Sequence, residues 1–283
     1  MNARVIPLLS NGEAGAMNAP DLVHPGAGAA PAKAPARPLL EFAQVGFGYN
    51  GAEVMKNVSF SIQEGEFVAL LGPSGCGKTT ILNIIAGFLA PIEGGALLEN
   101  REIAGPGPDR GVVFQAGALF EWMTVADNIT FSLRCAGRPK KERRQVAEEM
   151  AALVGLSGRE NAYPYELSGG MRQRVGLARA LAAKPKILLM DEPFSALDVQ
   201  TREVLQEEIL HIRDLTRCTV VFVTHSIDEA VFLGDRIFLL KDLRNGAFDE
   251  YRVELPSPRA NAENRLHAAF IKLREVIYRK MRH

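Results

Sequence analysis

Five consecutive apolar residues, Phe67-Val68-Ala69-Leu70-Leu71, run directly into Gly72-Pro73-Ser74-Gly75-Cys76-Gly77-Lys78-Thr79. A short run that is apolar at every position marks a strand buried on both faces, as in a parallel sheet. The eight residues after it fit G-x-x-x-x-G-K-[ST], and Thr80-Ile81-Leu82 then opens a helix. A glycine-rich turn between such a strand and helix aims backbone N–H groups at phosphate oxygens. The helix N-terminus adds partial positive charge. Lys78 reaches β- and γ-phosphates in such a loop, and the Thr79 hydroxyl ligates Mg²⁺. The feature therefore predicts a nucleotide-binding α/β domain.

Three further apolar runs repeat the buried-strand pattern: Ile187–Met190, Val220–Val223 and Ile237–Leu240. Leu40–Val45 and Val58–Ile62 alternate apolar and polar residues, as half-buried strands do. Helical patterns lie between the strands. One starts at Pro139, presents Val146, Met150, Leu153 and Val154 on a face and stops at Gly155. Met171–Ala183 and Thr201–Leu215 are also helical. Alternating strands and helices predict an α/β fold with a mostly parallel sheet. Asn245-Gly246, between Phe238–Lys241 and Phe248–Val253, signals a hairpin. Residues 1–38 hold ten Ala, four Gly and six Pro, a composition that buries little and predicts a disordered leader.

Composition narrows the function. Lys+Arg and Asp+Glu are both 33, a formal net charge of +0, without the basic excess of a general nucleic-acid binder. Three scattered cysteines, Cys76, Cys135 and Cys218, fit a reducing cytosol better than a cross-linked secreted protein. No apolar run approaches the roughly 18 residues that span a bilayer. Val5–Leu9, broken by Pro7, is too short for a signal-peptide core. These features predict a cytoplasmic chain whose membrane role, if any, is peripheral.

A second set of residues completes the nucleotide site. Ile187–Met190 ends in Asp191-Glu192-Pro193. Ligands of α/β sheets sit beyond the carboxyl ends of the strands. Asp191 is placed to hold Mg²⁺, and Glu192 to orient or deprotonate the attacking water. Leu167-Ser168-Gly169-Gly170-Met171 offers an N-cap serine and two small residues before a helix, a second anion-binding turn.

With these motifs the chain resembles the ATP-binding cassette (ABC) family. The family's signature reads Leu-Ser-Gly-Gly-Gln, and here Met171 takes the last place. Val113-Phe114-Gln115 looks like the Q-loop, Ser195-Ala196-Leu197-Asp198 like the D-loop, and His225 like the switch histidine. Tyr49 matches the aromatic that stacks on adenine. The resemblance spans about residues 39–245. It implies a P-loop NTPase cassette with a mostly parallel sheet, an antiparallel β subdomain and a helical subdomain at about 116–170. Residues 246–283 then form a short C-terminal extension with a hairpin strand and an amphipathic helix.

The resemblance also implies the site. ATP contacts Tyr49, the loop Gly72, Pro73, Ser74, Gly75, Cys76, Gly77, Lys78, Thr79 and Thr80, and the partner copy's Ser168, Gly169 and Gly170. Mg²⁺ is held by Thr79, Gln115 and Asp191. Lys78, Gln115, Glu192 and His225 carry the chemistry. Chromosome-maintenance cassettes insert a coiled coil between the phosphate loop and the Asp-Glu strand, but Lys78 and Asp191 here are 113 positions apart with no heptad run. Translation-factor cassettes come two to a chain, and exporters are often fused to membrane spans. Gly105–Gln115, Val253–Arg259 and the terminal helix look like the importer branch for nitrate, taurine and other sulfonates.

That branch implies a cassette homodimer, integral membrane permease subunits, a periplasmic or surface solute-binding protein, and a peripheral place on the cytoplasmic face of the inner membrane. A soluble P-loop ATPase acting on nucleic acid is the competing reading. Phe120, Trp122, Met123, Val125 and Ile129 are open between a groove for a permease coupling helix and the core of the helical subdomain. Cys76, at a helix N-terminus beside Lys78, is expected to have a lowered pKa and raised reactivity. Leu266, Phe270, Leu273 and Ile277 form an apolar seam that packs on the domain or, alternatively, lies on a membrane surface.

Overall fold

A computed structural model describes residues 38–114 and 118–282. Nearly all of the Ala/Gly/Pro leader, and Gln115, lie outside the described residues. The chain opens with an antiparallel hairpin, β1 (Leu40–Tyr49) and β2 (Ala52–Ile62), followed by β3 (Phe67–Leu71) and α1 (Lys78–Ala86). β4 (Glu93–Leu98) and β5 (Arg101–Glu102) return to the hairpin, giving an antiparallel sheet in the order β2-β1-β4-β5. β6 (Arg110–Val113) leads to α2 (Val125–Ile129), α3 (Phe131–Cys135), α4 (Lys140–Leu153) and α5 (Gly169–Ala182). The chain then alternates through β7 (Ile187–Asp191), α6 (Val199–Thr216), β8 (Thr219–Thr224), α7 (Ile227–Leu233), β9 (Arg236–Asp242) and β10 (Ala247–Arg252), and ends in α8 (Ala268–Arg282).

The second sheet has the order β10-β9-β3-β8-β7-β6, parallel throughout except for the edge strand β10. β3 lies inside it with all five residues buried. Its side chains alternate between two cores. Phe67, Ala69 and Leu71 join the cluster built with α5, α6, α7 and α8, whereas Val68 and Leu70 join α1 and the antiparallel sheet. This two-sided burial explains why β3, β7 and β8 are apolar at nearly every position.

Several expected elements form as read. α4 follows Pro139, buries Ala147 and Ala151, and is stopped by Gly155 at φ +69°. β9 and β10 pair through a short 3₁₀ turn, Leu243–Asn245, closed by Gly246 at φ +67°. A side chain at Gly246 would put Cβ 2.9 Å from the Lys56 carbonyl oxygen, so the turn takes only glycine. β10, in the segment read as an extension, is the edge strand of the main sheet.

The terminal seam divides. Phe270 and Ile277 of α8 are buried in the core and Leu273 packs partly against it, but Leu266 precedes the helix and is 79% exposed. The helix therefore packs on its own domain. The five residues after Gln115 also divide. Val125 and Ile129 are fully buried, Phe120 and Met123 are half-buried, and Trp122 is 73% exposed. Among the described residues no helix is long and apolar enough to cross a membrane.

Candidate functional site

β3 delivers the chain to the phosphate loop, and α1 carries it away. Gly75 and Gly77 have φ of +79° and +102°, in the left-handed region that lets the loop curl around a ligand. A Cβ at Gly77 would also lie 2.8 Å from Leu243 Cδ1. Lys78 is 5% exposed, and its ammonium donates to the carbonyls of Gly72 at 2.8 Å and Pro73 at 2.7 Å. The buried cation is thus held at the mouth of the loop by backbone oxygens. Pro73, Ser74 and Gly75 are exposed, and Thr80 is buried in the first turn of α1.

Two neighbouring strands bring the acids and a histidine to the same edge. β7 ends at Asp191, whose Oδ1 accepts from the Thr79 hydroxyl at 3.4 Å. Burial pushes the Asp191 carboxyl above its ordinary pKa; the Thr79 hydrogen bond opposes this, the neighbouring Glu192 charge adds to it, and Lys78 opposes it. Glu192 follows at φ +43°, a left-handed conformation that costs an L-residue about 1–2 kcal/mol. The bend is pinned on both sides. The Glu192 N–H donates to the Val223 carbonyl at 3.1 Å, and its carbonyl accepts from the N–H and hydroxyl of Ser195. The turn aims Glu192 Oε2 at Nδ1 of His225, 3.2 Å away at the end of β8. Thr79 and Asp191 present the hydroxyl and carboxylate oxygens that suit Mg²⁺, so the donor set fits that ion.

The remaining motifs frame this centre. Tyr49, at the tip of the β1–β2 hairpin, is 48% exposed and meets Phe47 edge-on at 4.9 Å. Val54, further along the hairpin, lies beside the Gly77 position, so β2 borders the loop. Ser168 caps α5 by accepting from the Met171 N–H at 3.3 Å, and Ser168 and Gly169 are exposed. The hydrogen bonds of Ser168 run to Met171 and Arg172 of its own helix, which leaves its outer face open. Gly170 is dictated by packing, because a Cβ there would meet Thr201 Cγ2 at 2.7 Å. Met171 packs partly into the core, which accounts for an apolar residue in the family's glutamine position. Asp198 caps α6 through the Thr201 N–H at 2.9 Å.

One expectation is corrected. The Cys76 thiol is pushed up, not down: burial outweighs the Lys78 charge and the backbone hydrogen bonds that favour a thiolate. Glu229 and Arg202, which stand behind the Glu192–His225 pair, belong to none of the motifs in the sequence. The available signal was Ser226 followed three residues later by Glu229, a helix-capping pattern.

A phosphate loop at the head of α1, with an Asp-Glu pair and a histidine at the ends of neighbouring parallel strands, defines a nucleotide-hydrolysing P-loop domain. The antiparallel sheet, the helices between β6 and β7 and the capped Ser168 turn narrow it to a cassette. The ABC transporter family profile matches residues 55–195. An uncharacterized ABC transporter ATP-binding protein of Methanocaldococcus jannaschii is 50% identical over 234 residues, 82% of this chain and 86% of that protein. The taurine import ATP-binding protein TauB of Pelagibacter ubique is 47% identical over 203 residues, 72% of this chain and 77% of that one. A solved ATP-binding cassette, dimeric and in a post-hydrolysis state with ADP and Pi, is 34% identical with a TM-score of 0.66. It covers 76% of this chain and 99% of its own. The chain belongs to the ABC transporter ATP-binding family, and it is an ATPase.

Proposed function

We propose that this ATPase energises import of a small anionic solute of the nitrate, taurine or sulfonate type through separate permease subunits. The observation that carries this reading is the 47% identity to a taurine import subunit over 203 residues, 72% of this chain. We assign residues 39–245 to the cassette, about 116–170 to its helical subdomain and 246–283 to its C-terminal extension. The cassette works as a homodimer on the cytoplasmic face of the membrane, with a solute-binding protein completing the transporter. The nucleic-acid reading finds no support among the relatives.

Each ATP lies between two copies in this scheme. Tyr49 stacks on the adenine, and the Gly72–Thr80 loop cradles the phosphates. Lys78 exchanges its loop carbonyls for phosphate oxygens. Thr79, Asp191 and Gln115 hold Mg²⁺, which neutralises phosphate charge when bound. Glu192 orients the attacking water and takes its proton, and His225 fixes the Glu192 carboxylate and faces the γ-phosphate. Ser168, Gly169 and Gly170 of the second copy close the site. Trp122, exposed on the segment after Gln115, belongs to the permease contact, while Val125 and Ile129 anchor that segment to the core.

Detergent extraction of the tagged chain from its native membranes tests the reading. Co-purification of an integral membrane protein, and loss of growth on taurine or nitrate as sole sulfur or nitrogen source after deletion, are the expected results. A chain that leaves the membrane alone and whose hydrolysis is stimulated by DNA overturns it.

A further inference from the structure

Behind the Glu192–His225 pair stands a carboxylate that the scheme above does not use. Glu229 is 8% exposed, in the first turn of α7. Its Oε2 accepts from the Thr224 hydroxyl at 2.5 Å, and Thr224 is the residue immediately before His225. Its Oε1 faces Arg202 Nε at 3.8 Å. The Arg202 Nη2 donates to the Leu197 carbonyl at 3.0 Å, on the turn between Glu192 and α6. The same Nε is buried without a hydrogen-bond partner, so Glu229 is the charge that balances it. Thr224 Oγ1 also accepts from the Ser226 N–H at 3.0 Å, which ties both sides of His225 to this node.

We propose that Glu229 is a positioning residue for hydrolysis: by holding Thr224 and Arg202 together, it sets the His225 turn against the Leu197-Asp198 turn. One buried carboxylate thereby spans the two segments that leave the catalytic edge of the sheet, the one after β7 and the one after β8. A carboxylate at this depth is costly unless paired. Burial pushes its pKa up; the Thr224 hydroxyl, Arg202 and His225 pull it back, and Glu192 adds to the rise. Arg265, from the C-terminal segment, adds a further positive charge on the same side, held by Gln206 at 2.7 Å and stacked on Phe232. The inference rests on the assignment of Glu192 and His225 to the hydrolytic step.

Steady-state MgATP hydrolysis by the purified full-length chain tests it, with E192Q as the reference. A shift of the His225 turn disturbs the chemical step more than binding. E229Q and R202Q are each expected to lower kcat about tenfold, with KM for ATP within about twofold. The two substitutions break one link, so the double variant loses about tenfold in all rather than about a hundredfold. R202K, which keeps a cation beside Glu229, recovers to within about threefold of the parent. Thermal melts confirm folding, and if E229Q does not fold, T224V replaces it in the cycle with R202Q. Folded E229Q and R202Q with kcat within about twofold of the parent, losses that multiply, or a loss confined to KM each overturn the proposal. If E192Q also keeps its turnover, the site assignment has failed; if E192Q is inactive and E229Q is not, only this inference has.

Discussion

Glu192 Oε2 lies 3.2 Å from Nδ1 of His225, so the residue that follows β7 is tied to the residue that follows β8. The contact exists because Glu192 is held at φ +43°, outside the strand geometry of Asp191 before it. Two adjacent acids are thereby turned to different partners. Asp191 faces the Thr79 hydroxyl, and Glu192 faces His225.

Replacing Glu192 by Gln keeps the side chain's size and its approach to His225 but removes the carboxylate to which the base role is assigned. The variant is expected to bind MgATP with near-parental affinity and to lose about 10²- to 10⁴-fold in kcat. Nucleotide binding by fluorescence and phosphate release under saturating ATP check both halves. Turnover within a few-fold of the parent means that another group activates the water.

Ser168 does two separable things. Its hydroxyl caps α5 within the chain, and its open face is assigned to the nucleotide of a second copy. Ser168→Ala is expected to cost about 0.5–2 kcal/mol of stability through the lost cap alone. Ser168→Arg is expected to leave ATP binding by the isolated chain intact and to abolish hydrolysis. Mixing it with Lys78→Ala restores one complete site per heterodimer and with it partial activity. ATP binding lost in monomeric Ser168→Arg places Ser168 in its own chain's site.

The parts of this structure legible in the sequence are those whose physics is local. β3 and the loop after it were readable because double-sided burial demands five apolar residues and phosphate binding demands glycine at fixed places. β4 was not, since Glu93-Gly94-Gly95 has no strand pattern and is extended by pairing with β1. α2 and α3 are five residues each, too short for a periodic signal. The same limit applied to the site. Asp191, Glu192 and His225 stand at strand ends that the apolar runs locate. The Glu229–Arg202 pair joins α7 to α6 through tertiary packing, which no spacing encodes. The thiol of Cys76 departs from its sequence expectation because sequence shows the neighbouring lysine but not the burial.

Asn128 is fully buried and anchors the segment that leads to Trp122. Its side chain accepts from the Phe120 N–H at 2.9 Å and donates toward the carbonyls of Phe120, Met123 and Thr124 at 3.0–3.1 Å. Asn128→Ala strands these groups, and the expected cost is about 2–3 kcal/mol, read as a lower urea midpoint at constant m. Trp122 is the chain's single tryptophan, so its emission reports on the same loop. Expected is a change in native-state emission as the loop loosens. A loss under about 0.5 kcal/mol with unchanged emission shows that the loop is held by its other contacts.

The three thiols separate by environment. Cys135 is exposed, Cys76 is half-buried with its pKa pushed up by burial, and Cys218 is buried and pushed up to about 11. Only the thiolate reacts with maleimide, so near neutral pH Cys135 is expected to label first, Cys76 slowly and Cys218 only on unfolding. Raising the pH beyond the ordinary thiol range speeds the labelling of Cys76. The same shift bears on stability. A thiol with a folded pKa above its unfolded one favours the fold while protonated. The Cys218 contribution is therefore constant below the ordinary value of 9.0 and is lost as pH rises from there toward about 11. Cys218→Ala is expected to flatten that alkaline fall in melts taken between those limits. MgATP is expected to slow the labelling of Cys76, which lies inside the phosphate loop, and to leave Cys135 unaffected. Peptide mapping after brief labelling decides the order, and Cys76 reacting as fast as Cys135 near neutral pH would show that the loop thiol is open to solvent and its burial is not what sets its reactivity.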